Sequence, residues 1–248
     1  FRDRARYVAD TDFVEVPVEK LTAKAYAAEL RSTIDADEAT VSSPEDIALE
    51  PAESPETTHY SVVDADGMAV SVTYTLEQGY GSKIVVPGAG FLLNNEMGDF
   101  NARPGLTTDT GLIGTDPNLA RPEQRMLSSM TPMILAKDGE LVAVIGSPGG
   151  RTIINTVLQV VLNVVDFGMT LQDAVNAARM HHQWLPDRLS IEDDGVSEDV
   201  VARLESMGHT VRVGGQQGTA HSVMVDPVTG VRVGAPDPRD TDAGAAGF

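Results

Sequence analysis

The junction Glu56-Thr57-Thr58-His59 is where this sequence offers the most reactive possibility. A threonine hydroxyl is a weak nucleophile and must borrow a base. A backbone cut between Glu56 and Thr57 would free an α-amine on the nucleophile's own residue, and that amine titrates near pH ~8 rather than the ~10 of a lysine. The preceding stretch suits such a cut: Asp35–Glu56 is rich in Asp, Glu, Ser, Ala and Pro and reads as an exposed linker, whereas a β-pattern starts abruptly at Thr57. Thr-Thr is also an ordinary way to begin a strand, so composition alone leaves both readings open.

Three other clusters can do chemistry. Ser147-Pro148-Gly149-Gly150 lies between an apolar strand and an apolar helix. Paired glycines there can turn backbone N–H groups toward a developing oxyanion, or simply make a tight turn; the Lys and Ser/Thr of a phosphate-binding Walker loop are missing. In Asn94-Asn95-Glu96-Met97-Gly98-Asp99-Phe100, Glu96 and Asp99 can hold an ammonium group or stand as solvated loop charges. Ser128 and Ser129 can bond a carboxylate or cap a turn. Adjacent His181 and His182 diverge on any regular element and have no suitably spaced third ligand, so they read as structural, with no metal expected. Trp184 reads as packing in the core or at a subunit contact.

The elements that must position these groups follow from periodicity. Leu21–Ile34 suits a helix. Thr57–Asp64 and Met68–Thr75 form a hairpin around Asp64-Ala65-Asp66-Gly67, and Met133–Ala136 with Leu141–Ile145 form a second around Lys137-Asp138-Gly139-Glu140. Gly79–Gly90 is expected to hold a strand, and the long polar stretch Asn94–Arg125 a functional loop. Arg151–Phe167 is apolar around most of its circumference and is expected to be a buried helix. Thr170 and Asp173 mark the cap of another helix running to about Met180, and Ser197–Met207 is a third. Strands are expected at Thr210–Val213, His221–Val225 and Val231–Val233. Hairpins first, then helices, then helix and strands favour an α+β sandwich over alternating parallel βαβ units.

The 248 residues can bury a sizeable core. A net charge of −19 without a basic stripe makes nucleic acid a poor partner. The absence of cysteine excludes disulfides and thiolate chemistry. No apolar run reaches the roughly 18–20 residues of a membrane span.

Taken together, Thr57-Thr58-His59-Tyr60-Ser61-Val62-Val63-Asp64, Asn94-Asn95-Glu96-Met97, Leu127-Ser128-Ser129-Met130, Gly146-Ser147-Pro148-Gly149-Gly150 and His181-His182-Gln183-Trp184 closely resemble the γ-glutamyltranspeptidase (glutathione hydrolase) family, from about Tyr7 to Phe248. The resemblance implies the N-terminal-nucleophile hydrolase fold, an αββα sandwich, here the small-subunit half. Residues 1–56 would be the tail of a large subunit and its processing linker, and 57–248 the small catalytic subunit, the two remaining associated as a heterodimer. It implies scission between Glu56 and Thr57, with Thr57 then attacking γ-glutamyl amides such as glutathione. The resulting ester would pass to water or to an amino-acid or peptide acceptor. Thr75 would bond the nucleophile and assist processing, and Gly149 and Gly150 would supply the oxyanion amides. Glu96 and Asp99 would hold the substrate α-amine, and Ser128 and Ser129 its α-carboxylate. No cofactor is implied, and a periplasmic or secreted location is.

Two departures stand out. Glu77 replaces the asparagine that many members place near the substrate carboxylate, and the loop Gly105–Gly114 lacks their lid tyrosine, which favours water over amine acceptors. The family arginine for the α-carboxylate is expected upstream of this chain, so the 248 residues alone are expected to be inactive and poorly stable. The alternatives are a related acylase acting on glutaryl or poly-γ-glutamate substrates, and a non-catalytic relative.

Overall fold

In the computed structural model, which describes residues 1–44, 57–101, 103–193 and 195–247, the chain builds three stacked layers. The N-terminal part holds α1 (Arg2–Tyr7), α2 (Val18–Thr22) and α3 (Lys24–Ser32). The helix expected over Leu21–Ile34 is thus split. Ala23 is extended, and Thr22 Oγ1 bonds back to Val18 O at 2.8 Å, which satisfies a carbonyl at the break.

Strands β1 (Thr57–Val63) and β2 (Ala69–Thr75) form the expected antiparallel hairpin, and its register places Thr57 opposite Thr75. A four-stranded antiparallel sheet contains β3 (Met133–Lys137), β4 (Glu140–Ile145), β8 (Ser222–Val225) and β9 (Arg232–Ala235) in the order β3-β4-β8-β9. Helices α4 (Thr152–Val165) and α5 (Leu171–Asn176) cover one face of that sheet, and the β1–β2 hairpin covers the other. The third sheet joins β5 (Met180–His181), β6 (Leu189–Ile191) and β7 (Val211–Val213). Its β6–β7 pair is parallel, with α6 (Glu198–Ser206) between them in sequence, a short βαβ unit inside an otherwise antiparallel fold. The α+β sandwich expected from the order of elements is present.

The two interlayer spaces differ in chemistry. Between helices and sheet lies an apolar core of Ala143, Ile145, Ile153, Val157, Val160, Leu171, Ala174 and Val175. Between the sheets the hairpin turns His59, Ser61, Ser71 and Thr73 inward, and these bond rather than merely pack: Ser61 Oγ donates to His221 O at 2.9 Å, and Ser71 Oγ to Ile145 O at 3.2 Å. A polar interior is costly unless paired; here backbone carbonyls of the facing sheet are the partners.

Several expectations need correction. Gly79–Gly90 carries only an isolated bridge, Val85 to Leu92, because four glycines and a proline between 79 and 90 break the ladder. Helix α4 is buried on one face only: Ile153, Thr156, Val157 and Val160 are inside, whereas Leu158 is 50% and Val165 61% exposed. Helix α5 stops at Asn176 rather than near Met180, since Arg179 is drawn into a buried ion pair with Asp237 at 2.6 Å and Met180 enters β5. Of the linker, Ala39 N–H bonds Met207 O at 2.7 Å and Ser42 N–H bonds Asp187 Oδ2 at 2.9 Å, so its first half is seated on the fold. Glu56 and the rest of 45–56 lie outside the described residues.

Candidate active site

The hairpin delivers Thr57 and Thr75 to the same end of the sandwich, because they are cross-strand partners facing inward. Immediately after β2 the chain turns at Glu77, which takes a left-handed φ of 70° and is buried, with its N–H bonded to Thr75 Oγ1 at 2.9 Å. That bond fixes a lone pair of Thr75 and hence its rotamer. The Glu77 carboxylate lies so close over Gly98 that a Cβ there would stand 1.9 Å from Oε1, which only glycine permits.

Gly98 belongs to a 3-10 turn, Glu96–Asp99, which presents its two carboxylates beside Glu77. Asn118 ties this turn to the serine pair: Nδ2 donates to Asp99 O at 2.7 Å, and Oδ1 accepts the Leu127 N–H at 3.0 Å. Ser129 is buried, and Arg4 of α1 donates to its Oγ at 2.8 Å across 125 residues of sequence.

The glycine loop follows β4. Gly149 has φ 132° and Gly150 φ 57°, backbone shapes that side-chain-bearing residues rarely adopt. Behind the loop, Gly149 packs on Gly218, whose own Cβ would meet Ser147 Oγ at 2.5 Å, and the Thr219 N–H bonds Ser147 Oγ at 2.9 Å. The 217–220 strip is held by a buried charge cluster. Arg179 donates to Gln217 O at 2.7 Å, Asp237 accepts from the Ala220 N–H at 2.6 Å, and Glu192 pairs with Arg239 at 2.5 Å. Burial pushes the Asp237 carboxyl up, but the Arg179 charge together with the hydrogen bonds from Arg179 and from the Arg239 and Ala220 N–H groups outweighs it and holds the group below its usual range.

These elements enclose a cleft of about 300 Å³. Thr57, Thr75, Glu77, Glu96, Asp99, Ser128, Ser129 and Gly150 all line it, with Met130 and Ile153 supplying apolar wall. Gly149 sits one residue behind the lining. None of the residues 105–114 reaches this cleft; Gly111 lies against Leu185 and Pro186 and accepts from Arg151 at 3.3 Å, and Ile113 packs with Ala5, Trp184 and Leu185. Chemically the cleft sets a hydroxyl opposite a glycine turn, with three carboxylates on one wall and two serine hydroxyls on another. That suits an acyl substrate carrying both an ammonium and a carboxylate.

His181 and His182 are bonded within the fold, to Asn155 at 3.0 Å and to Asp187 at 3.0 Å, and among the described residues no group of three or more acidic or histidine side chains is arranged to hold a metal. Sequence reading did not single out Arg4, Asn118 or His59. His59 was the findable one, being two residues after Thr57 and therefore on the same inner face. Its Nδ1 meets Thr73 Oγ1 at 2.9 Å and its Nε2 meets Ser61 Oγ at 3.0 Å; since Ser61 donates to His221 O, the ring proton belongs on Nε2. Desolvation, with a smaller contribution from His221, pushes the imidazole down to about 4, so it is neutral at physiological pH.

A threonine heading an inner strand of a two-sheet sandwich, across from a glycine turn, places the molecule among the N-terminal-nucleophile hydrolases in architecture. Comparison with known proteins narrows this. The family described as Gamma-glutamyltranspeptidase matches residues 1–247. The glutathione hydrolase proenzyme of Escherichia coli is 49% identical over 249 residues, which is all of this chain and 43% of that protein. A solved mutant of the Helicobacter pylori gamma-glutamyltranspeptidase is 48% identical with a TM-score of 0.69, covering 74% of this chain and 100% of that one. The cephalosporin acylase of Bacillus halodurans is 28% identical with a TM-score of 0.79, covering 100% of this chain and 42% of that one. The chain belongs to the gamma-glutamyltranspeptidase family, and it spans about two-fifths of the length of the curated relatives it matches.

Proposed function

We propose that the full protein is a γ-glutamyl hydrolase and transferase, made as a precursor that cuts itself between Glu56 and Thr57 and then uses Thr57 as nucleophile. The observation that carries this is the single cleft shared by Thr57, Thr75, Gly150, the Glu96–Asp99 turn and the Ser128–Ser129 pair. The α-amine of Thr57 takes the hydroxyl proton while Thr57 Oγ bonds the γ-carbonyl carbon. The carbonyl oxygen becomes an oxyanion facing the Gly149 and Gly150 amides. The C–N bond then breaks, the leaving amine takes the proton held by the α-amine, and a γ-glutamyl ester remains on Thr57. Water or an acceptor amine attacks that ester by the same steps and restores the free hydroxyl.

Thr75, oriented through the Glu77 N–H, supports Thr57 from the neighbouring strand. Glu96 and Asp99 take the substrate α-amine, Ser128 and Ser129 its α-carboxylate, and the third carboxylate, Glu77, strengthens the demand for a cation. Residues 1–56 end as the tail of the large subunit and 57–248 form the small one. The faces that this chain leaves bare support that pairing: on the outer side of β1–β2, Tyr60 and Val62 are 50% and 51% exposed, and Leu158 and Val165 stand outward on α4. A location outside the cytoplasm is proposed from the family resemblance alone.

The cephalosporin acylase likeness gives a second reading, an acylase for glutaryl side chains. Hydrolysis of γ-glutamyl and glutaryl p-nitroanilides by the full-length protein separates the two. The amine-binding carboxylates predict a kcat/KM at least about 100-fold higher for the γ-glutamyl compound, in line with a lost charged hydrogen-bond pair. Equal rates, or preference for glutaryl, would establish the acylase instead.

A further inference from the structure

We infer that Arg4 is a positioning residue for the carboxylate end of this cleft, acting through Ser129 from the other side of the scission point. The inference rests on the γ-glutamyl reading above.

Arg4 sits in the middle of α1, and α1 is not a loose end. Ala5 is buried against Trp184 and Leu185, the Ala5 carbonyl accepts from Thr115 Oγ1 at 2.5 Å, and Asp3 accepts from Tyr26 OH at 3.0 Å. Just beyond α1, buried Asp10 receives Arg125 Nη2 at 2.6 Å and the Arg125 backbone N–H at 2.8 Å, which fastens the same segment to the strand of chain leading into Ser128 and Ser129. From this platform Arg4 projects into the wall between the Thr57 cleft and a neighbouring cavity of about 480 Å³, the two sharing Asp99.

The chemistry of the contact has one sense. A guanidinium has only donors, and a serine hydroxyl has one proton and two lone pairs, so the 2.8 Å bond runs from Arg4 Nη2 to a lone pair of Ser129 Oγ. It occupies no proton of Ser129. The serine proton therefore points away from Arg4. A charged donor behind a hydroxyl also polarises the O–H and makes it a stronger donor to an anion. Arg4 thereby fixes the rotamer and the donating sense of Ser129 and brings a positive charge behind it.

The contact also crosses the bond that processing breaks. Arg4 precedes Thr57 in the chain and Ser129 follows it, so cleavage leaves the two residues on different polypeptides. The serine pair is then complete only while the segment bearing α1 stays docked.

The test uses the full-length processed protein and γ-glutamyl-p-nitroanilide. Arg4→Gln is expected to raise KM about 30-fold with kcat within threefold of wild type, since ground-state and transition-state carboxylate binding are lost alike. Arg4→Lys, which keeps the charge, is expected to recover most of the loss. Ser129→Ala is expected to raise KM at least as much, and Arg4→Gln/Ser129→Ala to match Ser129→Ala within threefold, because the arginine acts only through the hydroxyl. Multiplicative KM effects in the double variant, a fall in kcat with KM unmoved, or an unchanged Arg4→Gln enzyme would each overturn the assignment. A wild-type protein that splits before Thr57 yet leaves the anilide intact would instead sink the γ-glutamyl reading itself, so the two failures are distinguishable.

Discussion

Replacing Gly146 by alanine isolates how the nucleophile's strand is spaced from the glycine turn. Gly146 is buried just after β4, three residues before Gly149, and the imidazole of His59 lies where its side chain would begin. A Cβ at this position would stand 2.0 Å from Cε1, 2.4 Å from Nδ1 and 2.5 Å from Nε2. Ordinary contact needs the ring to retreat by about 1.5 Å, given carbon contacts near 3.5–4 Å. Such a shift breaks both ring hydrogen bonds, to Thr73 at 2.9 Å and Ser61 at 3.0 Å. Each bond is worth about 1 kcal/mol net, an unpaired buried group costs a further ~1–3 kcal/mol, and overpacking adds ~1–3 kcal/mol. A total of at least roughly 4 kcal/mol follows, read as a fall of about 2 M or more in the urea midpoint if m is about 2 kcal/mol/M. The assay is a double-mutant cycle in the full-length protein. His59→Ala alone loses the ring and its bonds, but it opens room for the methyl group, so Gly146→Ala should cost little in that background. Additive losses, or a Gly146→Ala protein within 1 kcal/mol of wild type, would refute the wedge.

Three further expectations follow from the same geometry. His59, held near pKa 4 when folded against 6.5 when free, makes the unfolded chain bind more protons between those values, so its contribution is intact above about pH 6.5 and is lost as pH falls. The loss reaches roughly 1.4 kcal/mol by pH 5.5, measurable as a urea-midpoint decrease that His59→Gln should flatten. Glu77→Asn removes one of three carboxylates from the amine wall. It should raise KM for γ-glutamyl-p-nitroanilide about 3–10-fold at pH 8 in low salt, with a smaller effect at high salt; an unchanged KM would show that Glu77 faces the protein alone. Residues 57–248 expressed without the rest of the protein should bind a hydrophobic dye and aggregate, because the outer faces of β1–β2 and α4 are left uncovered. A monodisperse, cooperatively unfolding product would contradict that.

The parts of this fold legible in the sequence were those fixed by local rules. Alternation and a turn at Asp64–Gly67 gave the hairpin, and the structure adds the register that sets Thr57 opposite Thr75. The cap at Thr170 was visible because its side chain bonds the Asp173 N–H at 3.2 Å, a contact three residues long. What stayed hidden depends on distant partners. Arg4 and Ser129 are 125 residues apart, and nothing within FRDRARY marks the middle arginine as special. The end of α5 was misplaced because Asp237, 58 positions onward, decides where Arg179 goes. Helix α4 looked buried all round because sequence hydropathy measures what a face needs, not whether this chain supplies its cover. The βαβ unit of β6, α6 and β7 escaped because β6, three residues long, carries too little pattern to read, although α6 and β7 were both expected.

The most direct test of Thr57 as an N-terminal nucleophile is intact-mass and N-terminal analysis of the full-length protein beside its Thr57→Ala variant. The wild type should yield a polypeptide beginning Thr-Thr-His-Tyr, whose first residue gains the mass of a γ-glutamyl group when trapped with substrate, and the variant should remain one uncut chain. Scission before residue 57 in the alanine variant, or a γ-glutamyl adduct on any other residue, would contradict the account.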